Sequence, residues 1–147
     1  MKADMLAPAA VLILWSLVML FWMAFSRFRA MKAAGGDLKG ARPGGRGQDL
    51  DGVLPERANW KAHNYTHLME QPTIFYPAVI ILAVMGASPV DVFLAWSYVL
   101  FRIIHSVYQA TVNRVAVRFP LFLVSTLTLI WLAVRAVVVT LFATGTV

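Results

Sequence analysis

His63, His67 and Glu70 stand at i, i+4 and i+7 and therefore share one helical face. A second stretch carries Arg102, His105, Gln109 and Asn113 at i, i+3, i+7 and i+11, again on one face. Imidazoles and a carboxylate can move protons or ligate a metal, while a guanidinium binds anions. His63 and His67 are spaced to chelate, with Glu70 and His105 available to complete a metal site. Arg102 opposes that reading, because a cation repels a metal and competes for the carboxylate. No metal site is expected.

These costly side chains lie in apolar sequence. Of the 147 residues, 60% are hydrophobic and 14% charged, well above the roughly 45–50% apolar share of soluble domains. Lipid can solvate that excess, so the partner implied first is a bilayer. The stretch Met5–Ser26, bracketed by Asp4 and Arg27, is uncharged and spans roughly 30 Å as a helix. A basic run (Arg27, Arg29, Lys32) follows it in place of the small residues of a cleavage site, so a retained helix is expected. Further helices are predicted at about 58–86, 89–117 and 119–143, beside the first at about 5–28. The fold class is all-α, a single four-helix membrane domain over 1–147.

Between the first two helices, residues 30–57 hold Gly35, Gly36, Gly40, Gly44, Gly45 and Gly47 with Pro43 and Pro55. Such a run breaks helices and reads as a solvated loop, and it contains no phosphate-loop pattern. The net charge of +6 is concentrated around this loop. A positive-inside bias accounts for it better than a nucleic-acid partner, and places the loop in the cytoplasm with both termini outside. A bacterial inner membrane is the expected location. With no cysteine, disulfides and cysteine nucleophiles are excluded.

The second and third helices are antiparallel neighbours, which sets His63 opposite Gln109, His67 opposite His105 and Glu70 opposite Arg102. Glu70 lies roughly 14 Å beyond Lys61 and Arg102 roughly 18 Å beyond Arg114, both near mid-membrane. A direct Glu70–Arg102 ion pair is predicted, with the histidines layered on its cytoplasmic side. Such a pair can serve as a tie between helices or as part of a site, and the full ladder of polar residues favours the site. Pro72 and Pro77 free carbonyls near Leu68 and Thr73 and are expected to kink the second helix beside Glu70. Arg135 is expected to snorkel to the outer surface. The tryptophans (Trp15, Trp22, Trp60, Trp96, Trp131) are assigned by default mostly to lipid or the interface.

This pattern resembles the MAPEG superfamily, the membrane-associated proteins of eicosanoid and glutathione metabolism. The likeness covers roughly Arg57 to Val138 and rests on His63-Asn64-Tyr65-Thr66-His67-Leu68-Met69-Glu70-Gln71-Pro72 and on Arg102-Ile103-Ile104-His105. It implies a homotrimer with glutathione bound between subunits as co-substrate and a lipophilic electrophile arriving from the bilayer. Carried onto this chain, Arg118 is the arginine that stabilises the glutathione thiolate. Arg27 or Arg29 holds a glutathione carboxylate, Glu70 and Arg102 buttress the site, and His105 lines it. His63, His67, Gln109 and Arg114 complete the expected glutathione-binding set. His63, His67 and Gln109 replace the arginine, asparagine and tyrosine of the family pattern, which removes two ligand contacts. Two function classes stay open: a glutathione-dependent transferase or peroxidase, or a non-catalytic scaffold, small-molecule binder or accessory subunit for partner membrane proteins.

Overall fold

A computed structural model describes residues 1–142. The chain forms α1 (Lys2–Ala33), α2 (Glu56–Leu68), α3 (Pro72–Met85), α4 (Pro89–Thr111) and α5 (Val115–Leu141). Helices α2 and α3 run on as one membrane-length unit, so four spans are long and apolar enough to cross a bilayer. The expected end of the last helix at 143 lies outside the described residues.

Each join has a local cause. The second span was expected to be disturbed at its prolines, and it does loosen at Met69–Gln71, because Pro72 has no N–H to return to Leu68. The backbone there tightens into i→i−3 bonds, Met69 N to Thr66 O at 2.9 Å and Thr73 N to Glu70 O at 3.2 Å. Gly86, at φ 105°, ends α3. Ser88 and Asp91 form a reciprocal capping box that starts α4, with Pro89 at its first position. Helix α4 stops at Thr111, earlier than the expected 117, because Asn113 takes the left-handed conformation at φ 59°. Asparagine tolerates that region better than most residues. The amides of Val112 and Asn113 both return to Tyr108 O at 2.9 Å, and α5 begins at once, so Arg118 falls in its first turn.

Helix α1 packs on α2, α3 and α4, and α5 closes the far side against α3 and α4. The core comprises Met5, Leu12 and Met19 of α1 with Phe75, Val79 and Leu82 of α3, Tyr98 and Val99 of α4, and Leu129 and Leu132 of α5. Small buried residues (Ala9, Ser16, Ala78, Ala95, Ser106, Ser125) let the helices approach closely. Leu14, Phe21, Phe93, Leu127 and Val134 stay exposed on the outer faces, where acyl chains solvate them. The chain is an integral, multi-pass membrane protein.

Polar side chains bind the spans together. Ser106 of α4 accepts from Trp15 Nε1 of α1 at 2.9 Å and from Asn64 Nδ2 of α2 at 2.8 Å. Trp15 thus faces the bundle, an exception among tryptophans assigned mostly to lipid or the interface. Arg135 likewise does not snorkel free: its Nε and Nη2 each reach a carboxylate oxygen of Asp91 at 3.2 Å. Asp91 is fully buried, and it lies close enough in depth for the bidentate fork to close.

Candidate functional site

The polar ladder opens into a cleft of about 330 Å³ between α2, α4 and the start of α5. His63, His67, Glu70, His105, Gln109 and Arg118 line it together with Val115, Phe119 and Phe122. The loosened turn before Pro72 matters here. It swings Glu70 outward, leaving its side chain 62% exposed, while Arg102, deeper on α4, is 1% exposed.

The predicted Glu70–Arg102 contact is therefore not direct. His67 stands between them, with Nδ1 2.9 Å from Glu70 Oε2 and Nε2 3.2 Å from Arg102 Nη1. A guanidinium can only donate, so Nε2 must carry the lone pair and Nδ1 the proton that goes to Glu70. Arg102 also donates from Nε to Tyr98 Oη at 3.2 Å, and its Nη2 is buried without a partner. Its charge lies over two rings, 5.7 Å from the Tyr98 centroid and 5.5 Å from that of Phe122. Tyr98 passes the chain on to Gln71 Oε1 at 3.3 Å, and Gln71 Nε2 donates to Thr126 Oγ1 at 2.9 Å. One hydrogen-bonded path thus runs from the cleft surface into α5.

The imidazoles of His67 and His105 face each other at 5.1 Å between centroids, with Phe122 5.5 Å from His67. At the mouth, Arg118 gives Nη1 to Asn113 Oδ1 at 2.8 Å. That bond uses one of five guanidinium N–H groups, and the residue lines the cleft with the others. Among the described residues, no three His, Asp or Glu side chains converge as a metal would require.

Of the expected glutathione contacts, His63, His67, Glu70, His105, Gln109 and Arg118 are brought together, and Arg102 supports them from behind. Arg27 lies apart, 3.7 Å from Asp51 in an adjoining hollow that it shares with His63. His63 Nε2 is itself 3.3 Å from Asp51. Arg29 lies over the Phe25 ring at 5.5 Å, and Arg114 is exposed at the start of α5. Neither reaches the cleft of its own chain.

A family model described as the MAPEG family matches residues 5–138. The chain belongs to the MAPEG family. No curated protein and no solved structure matches it. The match takes in all four spans of this MAPEG protein and every residue of the cleft.

Phe119, Phe122 and Asp51 were not among the sequence candidates. The two phenylalanines look like ordinary membrane residues one turn apart, and their only signal was proximity to Arg118. Asp51 was hidden in the glycine-rich loop, where spacing carries no geometric information.

Proposed function

We propose that this MAPEG protein binds glutathione in the cleft and activates its sulfur for attack on a lipophilic electrophile, as a transferase or peroxidase. The observation that carries the reading is Arg118, anchored to Asn113 by one N–H at the mouth of a half-aromatic cleft. A guanidinium beside a thiol favours the thiolate, the nucleophilic form. In a transfer step the thiol proton leaves to water at the cleft mouth. The sulfur lone pair then forms the new S–C bond, and the leaving group departs with its electron pair. Phe119 and Phe122 form the apolar wall against which such an electrophile would rest, and the volume falls in the roughly 300–1,000 Å³ range of small-molecule sites.

The reading requires more than one copy. Glutathione carries two carboxylates, yet Arg118 is the one arginine lining the cleft, while Arg27, Arg29 and Arg114 lie elsewhere. We place the missing cations on a neighbouring copy in a homotrimer, with the glycine-rich loop on the cytoplasmic side of a bacterial inner membrane. The test is thermal unfolding in detergent with millimolar glutathione, followed by conjugation of an aromatic halide. A ligand that binds only the folded state raises the melting temperature, and Arg118→Gln should abolish that rise. An unchanged wild-type melting curve would defeat the proposal.

One observation favours a second reading, a non-catalytic binder or accessory subunit. His63 at the cleft edge is engaged by Asp51, and His67 and Gln109 replace the asparagine and tyrosine of the family pattern. Glutathione binding without turnover would decide for that reading.

A further inference from the structure

A second, larger hollow lies at the C-terminal end of α1, where the 34–55 segment folds back on the helix. It measures about 420 Å³. Its floor is Phe28 and Met31 of α1 with Leu38 and Leu50 from the two 3₁₀ turns of the segment. Phe28 is 51% and Leu38 64% exposed, so the groove is open and apolar. Around its rim stand Arg27, Arg42 and Arg46, with Asp49 beside them in the lining and Asp51 behind Arg27 at 3.7 Å. The Asp49 carboxylate is already taken by Arg42 Nη2 at 3.3 Å and by the amide of Arg46 at 2.9 Å.

Its position in the membrane narrows the occupant. The uncharged run of α1 ends at Ser26 and Arg27 is the first charge after it. The groove starts at Ala24, inside that run, and ends at Arg46, outside it. It therefore crosses the boundary between hydrocarbon and headgroups. The segment also closes tightly on Arg27: a Cβ added to Gly47 would stand 2.6 Å from Arg27 Nη1. Arg27 Nε is buried there with no hydrogen-bond partner.

We propose that this groove seats one anionic phospholipid, its acyl chain along Phe28, Met31, Leu38 and Leu50 and its phosphate against the arginines. An acyl chain brings no polar groups into an apolar floor, whereas a peptide would bring N–H and C=O groups needing partners. Guanidinium forks match phosphate oxygens, and basic side chains at this depth attract anionic headgroups. Within one chain the groove shares no lining residue with the thiol cleft.

The full chain, purified in detergent, is melted with added phosphatidylglycerol, phosphatidylcholine or inorganic phosphate. Phosphatidylglycerol alone should raise the melting temperature, and native mass spectrometry should retain one per protomer. The double variant Arg42→Gln/Arg46→Gln, at two exposed positions, should melt like the wild type without lipid. Its apparent affinity for phosphatidylglycerol should fall about tenfold or more. An equal shift with phosphatidylcholine, a shift reproduced by phosphate, or an undiminished response of the double variant would each overturn the proposal. So would a spin label on Leu38→Cys reporting contact with a second copy instead of acyl chains, which would make the groove a protein interface.

Discussion

His67 Nε2 accepts from Arg102 Nη1 at 3.2 Å, so the deepest cation of the bundle meets its carboxylate, Glu70, only through an imidazole. A buried arginine without a direct counter-ion is costly. Hydrogen bonding and the two aromatic faces offset part of that cost. The lining of the cleft thus also keeps α4 joined to α2.

Removing the bridge should be felt first in stability. His67→Ala leaves Arg102 Nη1 unpaired beside the already unpartnered Nη2, at a cost of about 2 kcal/mol. The added change Arg102→Met should recover part of the loss, since it withdraws the stranded charge. Urea or thermal unfolding in detergent measures both. Strict additivity of the two losses would refute the relay.

At the other end of the molecule, Asp91 serves two structures at once, capping α4 and binding Arg135. Asp91→Ala should cost about 3 kcal/mol, because both the buried pair and the cap are lost. Asp91→Asn keeps an acceptor for the cap and should cost less. Equal melting temperatures for the two variants would show that the cap contributes nothing.

Asn113 separates folding from binding. Asn113→Gly preserves the left-handed turn at φ 59° but releases Arg118. It should fold normally and lose the glutathione-induced thermal shift. Asn113→Ala should in addition be destabilised by about 1 kcal/mol. A full ligand shift in the glycine variant would mean that Arg118 needs no anchor.

His63→Arg adds a cation at the cleft edge, at a half-exposed position with room for a longer side chain to turn from Asp51 toward a bound anion. If glutathione is the ligand, affinity should rise about fivefold, as one added charge-assisted contact provides. Isothermal titration in detergent reads this directly, and unchanged or weaker binding counts against glutathione.

The sequence determined a good deal. Four spans follow from hydropathy, a local property, and helical spacing assigned His63, His67 and Glu70 to one face and Arg102, His105 and Gln109 to another. Antiparallel neighbours then matched their depths, and His67 does face His105. Index and rise locate a Cα along an axis, but they do not set how far a side chain reaches or how neighbouring helices are rotated. Tertiary structure decided those. The turn before Pro72 swung Glu70 out and left His67 to reach Arg102. The early stop at Asn113 brought Arg118, Phe119 and Phe122 into the cleft. Asp91 claimed Arg135, and the glycine-rich segment, whose spacing has no period, folded a basic rim over an apolar floor. The turns at Pro72 and Asn113 have local causes, but which side chains they bring together, like the pairing of Asp91 with Arg135 from another helix, depends on contacts across the bundle that no local pattern records.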